Sequence, residues 1–110
     1  MSWIPITPVE NIPLREGRAV QVGGQEIAIF NLGNSFLALA NRCPHKGGPL
    51  ADGIIAGETV VCPLHAWKIC LATGKVKRPA EPSACTRSYP IEVVEGIIMV
   101  QLASAQREAA

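Results

Sequence analysis

The stretch "CPHKGGPL", Cys43 to Leu50, returns in altered form as "CPLHAWKI", Cys62 to Ile69. Each copy sets one cysteine and one histidine beside a proline: Cys43-x-His45 in the first, Cys62-x-x-His65 in the second, with sixteen residues between His45 and Cys62. The chain has two histidines, and both fall in this pattern. Unrelated core residues would not sort into two such pairs. Thiolate and neutral imidazole together are ligands for soft and borderline metals. Cys43, His45, Cys62 and His65 are therefore the candidate site.

Composition alone permits a zinc ion held by two cysteines and two histidines, in a structural or interaction module. The order of the ligands argues for a different cofactor. Zinc sites of that composition usually take a cysteine pair from one element and a histidine pair from another. Here each turn gives one of each. That interleaving suits a 2Fe–2S cluster, one per chain, in which one iron takes both cysteines and the other both histidines. Gly47-Gly48 lets the chain approach the cluster sulfurs without a Cβ clash. Pro44 and Pro63, each just after a cysteine, stiffen the turns.

The rest of the chain reads as a β scaffold for those turns. At 110 residues it is long enough for one domain with a real core, and the domain is expected to span 1–110. "RAVQV", Gly23-Gly24, "QEIAIFNL", Gly33-Asn34 and "SFLALA" form a series of β-prone runs broken by hairpin signals. "YPIEVV", Glu95-Gly96 and "IIMVQL" repeat the pattern near the C-terminus. Ile27, Ile29 and Leu32 alternate only loosely, which suggests that both faces of that strand are covered. "PVENI" fits one short turn. Nine prolines and ten glycines disfavour a helical bundle. The cluster-binding part is expected at about 41–88, with "ETVVC" as a short strand inside it. Residues 103–110 read as a frayed tail.

Charge and hydropathy exclude several function classes. Ten basic and nine acidic residues leave a net charge of +1, without the basic stripe of a nucleic-acid binder. The start, "MSWIPITPVENIP", has neither a basic nor an apolar leader region. No run approaches the roughly 18 apolar residues of a membrane helix. The expectation is a soluble, cytoplasmic protein without a membrane or nucleic-acid partner. In that compartment four cysteines are ligands or free thiols before they are a disulfide framework.

With these residues in view, the pattern Cys-x-His…Cys-x-x-His with a Gly-rich first turn resembles the Rieske 2Fe–2S family. The text "NRCPHKGGPLADGIIAGETVVCPLHAWKICLATGK" is similar to the small subunits of assimilatory NAD(P)H nitrite reductases, and Rieske ferredoxins share much of it. The resemblance implies an all-β Rieske-type antiparallel sandwich or barrel with a loop-built cluster-binding subdomain. Cys43 and Cys62 would bind the buried iron, and His45 and His65 the outer one. The loop around Arg78-Pro79-Ala80 resembles the third loop that covers Rieske clusters.

The implied role is single-electron transfer without catalysis by this chain alone. The partner would be a large flavin and sirohaem subunit that reduces nitrite to ammonium in nitrate assimilation, or another redox protein. The alternative is a Rieske ferredoxin feeding an aromatic-ring dioxygenase. High-potential members of the family carry an extra cysteine in each turn, joined as a disulfide; here Gly48 and Leu64 stand at those places. Ala66 and Trp67 stand where those members place a serine that donates to a cluster sulfur. Fewer donors imply a potential toward the low end of the roughly −150 to +300 mV Rieske range. Ala66 also replaces a glycine common in Rieske ferredoxins.

The remaining residues of interest have plainer readings. Cys70 and Cys85 read as free cysteines, small buried hydrophobes; a Cys70–Cys85 disulfide is the sharper alternative. The period of two in "WKICLA" puts Trp67, Ile69 and Leu71 on one face and Lys68 and Cys70 on the other. Trp67 is assigned packing and no redox role. Lys46 is either solvated or a docking contact. Trp3 and Tyr89 read as core. Pro49, Leu50, Leu64 and Trp67 read as an apolar rim around the cluster.

Overall fold

A computed structural model describes residues 3–43, 48–64, 66–78 and 85–101 of the chain. Eleven strands and two short 3-10 turns, with no α-helix among the described residues, make the protein a nearly all-β, antiparallel structure. The strands are β1 (Trp3–Pro8), β2 (Gly17–Val22), β3 (Gln25–Asn31), β4 (Phe36–Ala40), β5 (Ile54–Ala56), β6 (Thr59–Val61), β7 (Lys68–Cys70), β8 (Val76–Arg78), β9 (Ser88–Tyr89), β10 (Ile91–Val94) and β11 (Ile97–Gln101). They form three sheets, ordered β1-β11-β10, β2-β3-β4-β9 and β5-β6-β7-β8.

The expected hairpins form where the turn residues demanded them. Gly23 and Gly24 have φ of 56° and 81°, and Glu95 and Gly96 have φ of 51° and 77°. Positive φ at both central residues is what a two-residue turn needs to follow the right-handed twist of its strands. "PVENI" contributes the 3-10 turn Val9–Asn11.

The middle sheet explains why β3 alternates so loosely. Ile27, Ala28, Ile29 and Phe30 are all fully buried. Their side chains project alternately to opposite faces, and each face meets a different core. Ile27 and Ile29 join Ala38, Tyr89, Ile98 and Val100 on the side of sheet β1-β11-β10. Ala28 and Phe30 join Leu39, Leu50, Val60 and Ile69, together with Cys43 and Cys62, on the side of sheet β5-β8. Each buried valine, leucine, isoleucine or phenylalanine among them contributes about 1.5–3 kcal/mol. The candidate cysteines are therefore members of a core, anchored by β3 and β4 from behind.

Three expectations need correction. "WIPITP", where no element was expected, forms β1 at the edge of its sheet, with an irregularity between Pro5 and Thr7. An edge is where proline is tolerated in a sheet. Trp3, expected in the core, is 38% exposed at the start of that edge strand, whereas Tyr89 is buried as expected and donates its hydroxyl to Gln25 Oε1 at 2.6 Å. Between the cysteine turns the chain forms two strands, β5 and β6, where one was expected. The tail 103–110 lies outside the described residues.

Candidate metal centre

Cys43 leaves β4 through Asn41 and Arg42, and Cys62 leaves β6 directly. Each cysteine closes its own turn through its backbone: Cys43 N–H donates to the Gly48 carbonyl at 2.8 Å, and Cys62 N–H to the Trp67 carbonyl at 2.8 Å. The Ala66 N–H returns to the Cys62 carbonyl at 3.1 Å. Both thiols are buried, at 2% and 3% exposure, in one core cluster. Burial pushes the Cys62 thiol above its usual range, and the neighbouring Cys43 adds to the rise while the Leu64 N–H opposes it. The Leu64 N–H reaches Cys62 Sγ at 3.5 Å. Two buried thiols brought together from two separate turns can serve as a ligand pair, since a metal that takes the place of their protons converts both to thiolates.

The surroundings fit a cofactor that needs room next to sulfur. A Cβ at Gly48 would stand 3.0 Å from Cys62 Sγ and 2.9 Å from Leu64 Cγ, so only glycine leaves that space. The two cysteine sulfurs and the glycine cradle would fit a cluster of iron and inorganic sulfide. The histidines of the candidate set, His45 and His65, lie outside the described residues, as do Pro44, Lys46, Gly47 and the third-loop residues Pro79 and Ala80.

Polar side chains that the sequence reading passed over hold this centre in place. Asn41, buried at the end of β4, accepts the Ala51 N–H at 2.7 Å and so ties the first turn to the segment after Leu50. Thr86 donates its hydroxyl to the Arg42 carbonyl at 2.9 Å, and its N–H to the Gly74 carbonyl at 2.8 Å. Gly74 sits at φ 80°, where a Cβ would collide with the Thr86 carbonyl oxygen. A buried asparagine just after an apolar strand was the one available signal; Thr86 had none, because its contacts are distant in sequence.

The apolar rim is smaller than expected. Leu64 is 43% exposed, Pro49 is exposed and Trp67 half-buried, but Leu50 is fully buried in the core behind the cysteines. A 3-10 turn at Leu50–Asp52 rotates that leucine inward.

Cys70 and Cys85 are free, as expected, but neither is a buried hydrophobe: Cys70 is half-buried and Cys85 exposed. A bond between them is barred by register. Cys70 N–H donates to the Lys75 carbonyl, and Lys75 bridges Cys85, so Lys75 stands between the two cysteines. Two strand spacings of roughly 10 Å exceed the about 7 Å that a disulfide spans. Burial raises the Cys70 pKa, but the hydroxyl and N–H of Thr73, the Ala72 N–H and the Lys77 ammonium together outweigh it and hold the thiol below its usual range.

No helix among the described residues is long and apolar enough to cross a membrane. Residues 2–90 match the model of the Rieske [2Fe-2S] domain. The chain is 38% identical over 109 residues to the 3-phenylpropionate/cinnamic acid dioxygenase ferredoxin subunit of Escherichia coli (strain K12), covering 96% of this chain and 99% of that one. The ferredoxin of carbazole 1,9a-dioxygenase from Nocardioides aromaticivorans IC177 superposes with a TM-score of 0.82 at 24% identity, covering 91% of this chain and 97% of that chain. A putative NADPH nitrite reductase small subunit superposes with a TM-score of 0.80 at 19% identity, covering 92% and 99%. At such identities the superpositions speak for the fold alone. Paired buried thiols on a β scaffold, the domain match and the near full-length relative place this chain in the Rieske [2Fe-2S] family, as an electron-transfer protein whose cofactor is a 2Fe–2S cluster.

Proposed function

We propose that this protein is the ferredoxin component of a ring-hydroxylating dioxygenase system, carrying single electrons to the terminal oxygenase. The observation that carries this reading is the 38% identity to a dioxygenase ferredoxin subunit over almost the full length of both chains. The nitrite-reductase small subunit, first choice from the sequence, has only a shared fold at 19% identity behind it and now ranks second.

In this reading Cys43 and Cys62 hold one iron through sulfur, and His45 and His65 hold the other through imidazole. The cluster supplies one reversible electron. The chain's own residues do the rest. β3 and β4 fix Cys43 from behind, β6 and the Trp67 carbonyl fix Cys62, and the surrounding core excludes water from both sulfurs. The Leu64 N–H aimed at Cys62 Sγ favours the thiolate over the thiol.

The test is substitution. The purified, cluster-loaded protein replaces the native ferredoxin subunit in the Escherichia coli 3-phenylpropionate/cinnamic acid dioxygenase, and oxygen-dependent product formation is followed. Turnover that depends on this protein is the expected result. No turnover with the dioxygenase, together with electron exchange with a sirohaem nitrite reductase large subunit, would restore the nitrite-reductase reading.

A further inference from the structure

Sheet β5-β8 has an inner and an outer face. Ile55, Val60, Ile69 and Val76 turn toward the core behind the cysteines. On the outer face Ile54 pairs with Val61, and Val61 with Lys68. Residues directly opposite one another in antiparallel strands project to the same side. Lys77 follows Val76, which packs inward, and so projects to the outer face. Lys68, Lys75 and Lys77 are exposed, and Ile54 is 72% exposed.

The charge on this face is segregated. The whole chain is nearly neutral, yet β7, β8 and the turn between them, residues 68–78, hold four of its ten basic residues and none of its nine acidic ones. No aspartate or glutamate stands on β5, β6, β7 or β8. Asp52 and Glu58 flank β5 outside the strands. The ion pair found among the described residues, Arg18–Glu16, is elsewhere. Exposed lysines on a face that also carries a bare isoleucine contribute little to folding. They do contribute to attracting and seating an acidic surface.

The face also lies beside the centre. Val61 directly precedes Cys62, and Lys68 directly follows Trp67, whose carbonyl takes the Cys62 N–H. We infer that the outer face of β5-β8, around Ile54, Val61, Lys68 and Lys77, is a docking surface for an acidic face of the protein with which this chain exchanges electrons. Lysines interleaved with isoleucine and valine suit a protein surface; a phosphate backbone would call for a continuous basic stripe. The inference rests on the electron-transfer assignment and holds for either partner named above.

The test uses the cluster-loaded protein and an acidic haem protein, the soluble domain of cytochrome b5, as probe. Association is measured by titration calorimetry at low ionic strength for the native protein, Lys68→Glu/Lys77→Glu, Lys68→Gln/Lys77→Gln and Arg18→Glu. Electron paramagnetic resonance first verifies an intact cluster in each. The expected result is binding weakened about tenfold by the double charge reversal, in line with electrostatic steering, an intermediate loss in the glutamine pair, and little change in Arg18→Glu. Absence of binding by the native protein, equal binding by the reversed variant, or an equal loss in Arg18→Glu would overturn the inference. So would a DNA duplex that binds more tightly than the haem protein at the same salt and loses binding with the same lysines. Because the probe is neither oxygenase nor nitrite reductase, failure here is distinct from failure of the dioxygenase substitution.

Discussion

A Cβ on Gly48 would stand 2.9 Å from Leu64 Cγ and 3.0 Å from Cys62 Sγ. The first cysteine turn thus touches the second through a glycine, and the leucine lies across it. Leucine packing over glycine joins the two turns at this point. Gly48→Ala must push Leu64 aside or displace the Cys62 sulfur, an overpacking that costs about 1–3 kcal/mol. The expected outcome is an intact β scaffold by far-ultraviolet circular dichroism with iron and sulfide contents below stoichiometric. Full cluster content in this variant would show that the turns open freely at this point.

Cys62→Ala and Cys43→Ala should lose the cluster, and Cys70→Ala and Cys85→Ala should keep it. The first pair is buried and adjacent, whereas the second is separated by Lys75. Because cofactor binding and ordering of the turns are coupled, Tm should fall by more than the roughly 4–8 °C that one kcal/mol moves a domain of this size. His45→Ala and His65→Ala are expected to behave as the first pair. Iron and sulfide analysis with the visible spectrum decides each case. A zinc-loaded, colourless protein after iron-replete anaerobic expression would reject the cluster assignment for all four.

Much of this was legible in the sequence, for reasons that particular residues make plain. Gly23-Gly24 and Glu95-Gly96 marked hairpins because positive φ leaves little choice of residue. The cysteine–histidine pairs marked the site because ligand chemistry restricts side-chain type. β1 was illegible because its pairing with β11 joins the two ends of the chain, and local propensity carries no record of a partner that distant. Leu50 was misjudged for the same kind of reason. Its neighbours Gly48 and Pro49 belong to the turn, and only the 3-10 turn that follows swings the leucine into the core. Thr86 acts on Arg42 and Gly74 through tertiary hydrogen bonds, which no motif announces.

Ala66 holds φ 57° in the second turn, a left-handed conformation that costs a residue with a Cβ about 1–2 kcal/mol. Its N–H still closes the turn onto the Cys62 carbonyl, so the strain is accepted to keep the ligand geometry. Ala66→Gly removes the strain and returns about 0.5–1 kcal/mol of it through the freer unfolded chain. The expected outcome is an unchanged cluster spectrum with stability equal to the native protein or up to about 1 kcal/mol higher. Ala66→Val should be clearly less stable, since a β-branched side chain fits that region worse. Thermal unfolding of the three cluster-loaded proteins checks this, and a destabilised glycine variant would mean that the Ala66 methyl makes a contact worth more than the strain.

Leu50 and Leu64 flank the same site from opposite environments, and aspartate substitutions should separate them. Leu50 is fully buried among the residues behind Cys43 and Cys62. Removing its side chain alone costs about 2–5 kcal/mol, and a carboxylate with no partner there adds a desolvation penalty. Leu50→Asp is therefore expected to lose both fold and cluster. Leu64 is 43% exposed beside Pro63, so Leu64→Asp keeps most of its contacts with water and should retain the cluster spectrum. It does place a negative charge on the exposed turn next to Cys62, near the lysine-bearing outer face of β5-β8. Electron exchange with an acidic partner should slow, with the deficit shrinking as salt screens the added charge. Spectra and stopped-flow exchange with the acidic haem protein, measured on both variants across ionic strength, read the two effects separately. A spectrally intact Leu64→Asp protein with unchanged exchange at low salt would move the docking surface away from this turn.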